Sequence, residues 1–144
     1  MRITIKFASS NKELKLCMKI RKLVFIQEQG IPEKIEMDDS TIKAVYFIAL
    51  INNIPVGTAR YQKTKYGAKL ERFAVLKSYR NRGIGKSLVE YIIKSIKDKN
   101  NIYLHAQDQV INFYSRLGFE KIGEKFYEAD ISHQKMIYKP NMIL

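Results

Sequence analysis

The sequence predicts an α/β fold in one domain spanning residues 1–144, and three observations carry that prediction. Apolar residues alternate at the strand period in some stretches and recur at the helical period in others, and the two kinds interleave along the chain. A strand, a glycine-bearing turn and a helix follow one another across residues 69–96. No repeat, low-complexity tract or linker divides the 144 residues.

The elements read in order as β-α-β-β-β-α-β-α-β-β. Residues 3–7 alternate as a first strand. Ser9-Ser10-Asn11 offers a helix cap with Glu13 in the first turn, and Leu14, Cys17, Met18, Arg21, Val24 and Phe25 follow at helical spacing until Gly30-Ile31-Pro32 stops them. Residues 33–40 form an acidic loop. Residues 44–51 and 55–61 read as a hairpin turning at Asn52-Asn53, residues 62–68 as a turn around Gly67, and residues 69–75 as the next strand. Leu88, Val89, Ile92, Ile93 and Ile96 mark a helix. Residues 102–106 are a strand, 109–117 a short helix, 119–122 a strand, and Met136-Ile137-Tyr138 closes the sheet.

Composition narrows the function classes. The 46% hydrophobic content fits a globular core. No apolar run approaches the ~20 residues that span a bilayer, and the N-terminus lacks a signal-peptide core, so a cytoplasmic protein without a membrane partner is expected. A single cysteine, Cys17, excludes a disulfide framework and supplies no metal cluster; no metal is expected, and Cys17 reads as a buried small hydrophobe. The formal charge of +12 is spread from Arg2 to Lys139 rather than gathered in one tract. A chain rich in Lys, Ile and Asn can owe that charge to A/T-rich codons, or the charge can attract an anionic coenzyme; no nucleic-acid partner is expected.

The junction at residues 69–87 carries the chemistry. Two glycines let the backbone approach a ligand closely, and the first N–H groups of the new helix have no partner inside it, which suits a pyrophosphate. A Walker A loop needs glycine where Arg80 stands, and a Rossmann fingerprint needs glycine where Leu88 stands. What remains is R-x-x-G-x-G, Arg80 to Gly85. Some thirty residues on come His105-Ala106-Gln107 and Asn112-Phe113-Tyr114-Ser115-Arg116-Leu117-Gly118-Phe119. These two blocks resemble the acetyl-CoA loop and the F-Y-x-x-x-G-F element of the GNAT superfamily of N-acetyltransferases. The segment Arg21 to Pro32, with its Phe25-Ile26-Gln27-Glu28-Gln29-Gly30-Ile31-Pro32, and the closing Ile131-Ser132-His133-Gln134-Lys135-Met136 are similar to the small ElaA/YjcF-like branch. Glu71-Arg72-Phe73-Ala74-Val75 and Asn112-Phe113-Tyr114 also resemble blocks of glucosamine 6-phosphate N-acetyltransferase.

The resemblance implies a mixed, mostly antiparallel sheet flanked by helices and splayed between two parallel strands, here those ending near Val75 and Ala106. It implies acetyl-CoA as co-substrate, held by the loop Arg80, Asn81, Arg82, Gly83, Ile84, Gly85, Lys86 and Ser87, by the strand edge at Phe73, Ala74 and Val75, and by Asn112. It makes Tyr114 the acid for the departing thiolate, or else only a packing ring. Glu71 is the leading base, in a pattern E-x-x-A-V; it could instead pair with Arg60 or Arg72. Strand alternation puts Glu71 and Phe73 on one face and Arg72 and Ala74 on the other. His133 is a second proton acceptor near the amine, and Glu28, Gln29, Arg72 and His133 are candidate acceptor contacts. His105, where the branch commonly has asparagine, reads as a core histidine.

The expected activity is transfer of an acetyl group to a primary amine of a small molecule, an amino-sugar phosphate among the candidates. Polyamines would need an acidic rim from Glu28, Glu36, Asp38 and Asp39. The alternatives are a non-catalytic acyl-CoA-sensing module and an enzyme acting on protein or peptide amines. The resemblance also admits a homodimer.

Overall fold

The computed structural model describes residues 2–37 and 43–139. The elements are β1 (Ile3–Phe7), α1 (Asn11–Arg21), α2 (Glu33–Glu36), β2 (Val45–Ile51), β3 (Ile54–Thr64), β4 (Gly67–Val75), α3 (Ile84–Ser95), β5 (Ile102–Gln107), α4 (Ile111–Ser115), β6 (Phe119–Lys121), β7 (Phe126–Glu128) and β8 (Ile131–Tyr138). Among the described residues the eight strands form one sheet in the order β1-β2-β3-β4-β5-β8-β6, with β7 also paired to β8. Each ladder is antiparallel except β4 with β5. That parallel ladder pairs Ala68, Lys69 and Leu70 with Ile102, Tyr103 and Leu104, then stops. Beyond Leu70 and Leu104 the strands part, which is the splayed α/β sheet expected.

α1 starts where the sequence places it. The Ser10 side chain accepts from the Glu13 backbone N–H, and the Glu13 carboxylate accepts from Ser10 N–H in return, a capping box. Lys6 Nζ lies 2.7 Å from the same carboxylate, and the Glu13 pKa falls from 4.5 to about 2, chiefly through Lys6 and the Ser10 backbone. A carboxyl depressed in the folded state stabilises above its unfolded pKa and stops doing so as pH falls through the folded one. Glu13→Gln is therefore expected to lower the melting temperature at pH 7, with the gap to wild type narrowing between pH 4.5 and about 2. A gap independent of pH would show that the ionised carboxylate contributes nothing.

The helix does not end at Arg21 but widens into a π-helical segment, Lys22–Glu28, that carries Glu28 and Gln29 towards the sheet. One face of the sheet receives Cys17, Ile20, Val24 and Phe25 against Ala8, Ile48 and Ala74. Cys17 is buried, its Sγ 3.6 Å from the Phe47 carbonyl, and burial raises its thiol pKa. The opposite face receives the helical stripe read from sequence, Leu88, Val89, Ile92, Ile93 and Ile96, together with Ile84 at the start of α3. Each such side chain contributes roughly 1.5–3 kcal/mol when fully withdrawn from water.

Four expectations change. Residues 62–68 are mostly strand: β3 and β4 continue to a tight turn at Lys65-Tyr66. The acidic stretch contains α2, whose Glu36 is buried; Asp38 and Asp39 lie outside the described residues. The closing strand begins at Ile131, and β7, unforeseen, pairs with it through Phe126↔His133 and Glu128↔Ile131. Finally, Thr58 faces Ala74 while Arg60 faces Glu71, so between these rungs one residue of β3, Ala59, opposes two of β4, Arg72 and Phe73. The extra residue is a bulge at Arg72, whose φ is +58°. It overturns the expected alternation. Glu71 joins the network on the α1 face, whereas Phe73 packs with the α3 core and Ala74 returns to the α1 side.

Candidate active site

The divergence of β4 from β5 opens a cleft of about 1100 Å³. Its lining draws on the Lys22–Glu28 segment, β4, the start of α3, β5, α4 and the β7–β8 hairpin. Most of the residues singled out from sequence line it, on two sides.

On the α3 side, the chain leaves β4 through a 3-10 turn, Lys77–Tyr79, and reaches Gly83, the N-cap of α3, at φ +82°. No side chain caps α3. Ser87 N–H is the first to bond back, to the Gly83 carbonyl at 3.0 Å, so the N–H groups of Ile84, Gly85 and Lys86 point out of the helix end. A Cβ at Gly83 would meet nothing within 4 Å, whereas one at Gly85 would sit 3.3 Å from Phe113 Cζ. The Ile84 side chain belongs to the core, so only its backbone faces a ligand. Asn81, Arg82 and Lys86 are exposed around this end, with the Arg82 guanidinium 5.4 Å from the centre of the Tyr79 ring. Ser87 is half-buried in the first turn, and Asn112 is exposed on α4.

Arg80 stands apart from the rest of the loop. Its Nε donates to the Val75 carbonyl at 2.9 Å, and its two terminal nitrogens each lie 2.6 Å from a Glu28 carboxylate oxygen. This fork holds the Glu28 pKa below the usual carboxylate range and raises that of Arg80. A presumed phosphate cation and a presumed acceptor contact thus form one strut across the cleft.

Tyr114 closes the inner end. Its ring meets Phe73 edge-on at 6.0 Å, Phe113 at 5.0 Å and Phe119 at 5.8 Å. Burial pushes the phenol pKa up, so the hydroxyl keeps its proton through the neutral range.

On the α1 side, Glu71 is 9% exposed and tightly held. Arg60 Nε lies 2.7 Å and Nη2 2.5 Å from its Oε2, Gln62 Nε2 donates at 3.0 Å, and Lys69 Nζ is 3.5 Å away. Arg60 also donates to the Tyr46 hydroxyl at 2.9 Å, which receives Arg21 at 3.0 Å. Arg21 then grips Glu36, Nε to Oε1 at 2.7 Å and Nη2 to the carbonyl at 2.8 Å, and Arg72 Nε lies 3.0 Å from Glu36 Oε2. The Glu71 carboxylate is thus fixed in place at one end of a chain of arginines.

His133 Nδ1 is 2.6 Å from the Ile131 carbonyl, which can only accept, so Nδ1 carries a proton. The ring stacks on Phe126. Gln29 accepts from Gln107 across the cleft mouth at 3.2 Å. His105 corrects the sequence reading. It is not a core histidine: its side chain is 25% exposed, lines the cleft, and places Nδ1 2.7 Å from Glu128 Oε1. Glu128 escaped sequence analysis because its strand did. Alternation at Phe126/Glu128 and Ile131/His133 was the signal that could have shown it. Gln134 fixes the approach to that strand, donating to the Ile122 and Gly123 carbonyls at 2.9 and 3.0 Å. Among the described residues no three His, Cys, Asp or Glu side chains gather as a metal site, and no helix is long and apolar enough to cross a membrane.

The acetyltransferase (GNAT) domain family matches this chain over residues 22–140. The Bacillus subtilis protein BSU40680, assigned as an acetyltransferase, is 36% identical over 139 residues, 93% of this chain and 95% of that one. YjcF of the same organism, an uncharacterized N-acetyltransferase, is 34% identical over 134 residues, 90% of this chain and 95% of YjcF. Escherichia coli ElaA superposes with a TM-score of 0.81 at 23% identity, over 94% of this chain and 99% of ElaA. A GNAT family acetyltransferase from Elizabethkingia anophelis with acetyl-CoA bound gives 0.67 at 18% identity, over 94% of each chain. The structural likenesses speak for the fold and the sequence matches for the family; the resemblance to glucosamine 6-phosphate N-acetyltransferase gains nothing from them. With its parallel strands parted beside an uncapped helix end, the chain belongs to the GNAT family of N-acetyltransferases.

Proposed function

We propose that the protein transfers an acetyl group from acetyl-CoA to a primary amine of a small-molecule acceptor. The observation that carries this reading is the opening beyond Leu70 and Leu104, where the β4 edge at residues 71–75 meets the bare N-terminus of α3. The N–H groups of Ile84, Gly85 and Lys86 suit a pyrophosphate, with Lys86 and Arg82 adding charge at the rim. The backbone of Phe73, Ala74 and Val75 can pair with the amides of an extended pantetheine arm, and Asn112 lies on the helix beside it. Acetyl-CoA supplies the activated acetyl group as a thioester. Tyr114, protonated and at the base of the cleft, donates to the departing sulfur. Glu71, fixed by Arg60, orients the amine, and the acceptor enters from the side of Gln29, Arg72 and His133.

Lys69 and Arg72 line the acceptor side, and both suit a phosphate-bearing amine such as glucosamine 6-phosphate. Polyamines fit less well: Glu28 is bound to Arg80 and Glu36 is buried on Arg21, so neither serves as an acidic rim. Release of free thiol from acetyl-CoA tests the proposal against glucosamine 6-phosphate, glucosamine, spermidine, an aminoglycoside and a peptide with a free N-terminus. Turnover with one small amine is expected. Silence throughout, with acetyl-CoA still raising the melting temperature, would favour the acyl-CoA-sensing alternative.

Gly83→Val tests the cofactor end separately. A Cβ there has room, so the penalty is the left-handed backbone, about 1–2 kcal/mol for an L-residue and more for a branched one. Acetyl-CoA affinity should fall about tenfold or more as the loop rearranges. Undiminished affinity would move the pyrophosphate away from α3.

A further inference from the structure

We propose that His105, oriented by Glu128, is the base that removes the proton from the acceptor amine. This rests on the acetyl-transfer reading above. Register places His105 at the fork of the sheet: the last parallel rung is Leu70 with Leu104, so Glu71 and His105 are the first residues past it on either side. Leu70 and Leu104 point into the α3 core, and the next residue of each strand faces the α1 side, where the acceptor enters. Glu128 reaches the same point from β7, and Phe126 meets the His105 ring edge-on at 4.8 Å.

The pair has the geometry a base needs. An ionised carboxylate only accepts, so the 2.7 Å contact puts a proton on His105 Nδ1, and in the neutral ring the lone pair is then on Nε2. The hydrogen bond from His105 holds the Glu128 pKa low, with Lys69 and His133 adding to the effect, so the carboxylate stays charged through the working range. The groups around the imidazole are Lys69 and Glu71 from β4, Tyr103 on its own strand, Glu128 from β7, and His133 and Lys135 from β8; Gln29, after the π-helical segment, reaches the same strand at Gln107. Across the fork, the Glu71 carboxylate is taken up by Arg60, Gln62 and Lys69.

The step balances as follows. The acceptor nitrogen bonds to the acetyl carbonyl carbon, and the carbon–sulfur bond breaks. The nitrogen's proton passes to Nε2 of His105, and the sulfur leaves with the proton of Tyr114. The imidazolium, stabilised by Glu128, returns its proton to solvent, from which Tyr114 is reprotonated.

The chain has two histidines, so nitrogen-15 imidazole spectra of the wild type and of His105→Asn assign both. In the wild type, His105 should show the Nδ1–H tautomer and its signals should move when acetyl-CoA is added. Glu128→Gln should weaken the tautomer preference. With the best acceptor of the panel, His105→Asn should lower kcat about 10²-fold or more with little change in acetyl-CoA affinity. Glu128→Gln should lower kcat with little change in acetyl-CoA affinity, because the imidazole loses the carboxylate that orients it. His105 signals indifferent to saturating acetyl-CoA would overturn the proposal, and so would a His105→Asn kcat within about twofold of wild type. An acid limb abolished in His133→Asn and intact in His105→Asn would hand the role to His133. Absence of any acetyl-CoA effect on wild-type melting would bring down the acetyl-transfer reading itself, and this assignment with it.

Discussion

Tyr114→Phe is expected to lower kcat by about 10²-fold or more while leaving acetyl-CoA affinity nearly unchanged. The substitution removes one oxygen and keeps the ring, so the edge contacts with Phe73, Phe113 and Phe119 survive and the cleft keeps its shape. What disappears is the proton that burial keeps on the phenol. The sulfur must then leave as a bare thiolate in a site lined by aromatic rings, where solvation of the charge is poor. A thioester whose thiol is more acidic needs that proton less, so the deficit should shrink with such a donor. An unchanged kcat would leave Tyr114 as a packing residue and send the search for the acid elsewhere in the cleft.

Glu36→Ala is expected to produce the largest loss of stability, about 3–5 kcal/mol, the usual cost of leaving one member of a buried ion pair alone. Arg21 is 0% exposed and Glu36 2% exposed, and the carboxylate answers both Arg21 and Arg72. At roughly 2–4 °C per kcal/mol for a chain approaching 150 residues, the melting temperature should fall by roughly 6–20 °C. The double variant Arg21→Met/Glu36→Leu should recover much of that, because well-packed apolar groups replace both charges. A drop of a degree or two in the single variant would mean that water reaches Arg21 once Glu36 is gone. The same cluster connects through Tyr46 to Arg60 and Glu71, so the single variant should also raise the acceptor KM more than that for acetyl-CoA.

The parts of the fold that sequence predicted are those whose local chemistry agrees with their conformation. The hairpin at Asn52-Asn53 was legible because both residues adopt positive φ, +49° and +68°, and asparagine tolerates that region. The hairpin at Ala129-Asp130 has nearly the same dihedrals, +49° and +60°, but alanine carries no such preference, and β7 is only three residues long. That one unreadable turn hid Glu128 and with it the partner of His105. The bulge at Arg72 was hidden for the same reason, since arginine gives no warning of a left-handed backbone. Its cost of about 1 kcal/mol or more is met by tertiary contacts, among them the approach of Arg72 to Glu36. The widening of α1 at Lys22–Glu28 leaves the apolar spacing almost intact, so periodicity could not announce it. The loop Arg80 to Ser87, by contrast, was readable because its two glycines and the helical stripe behind them are local features; only the pairing of Arg80 with Glu28, 52 residues away, lay beyond reach.

The slipped residue in β4 gives one strand two independent phases. Upstream of Arg72 the positions on the α1 side are Lys69 and Glu71, which in the proposed function address the incoming amine. Downstream, the inverted parity leaves Phe73 and Val75 against the α3 core, while in the same proposal their backbone addresses the acyl carrier. A change of specificity on the first half therefore need not disturb the grip on the second. Deleting a single residue at the junction would merge the two phases, turning the carboxylate or the aromatic ring to the wrong face of the sheet.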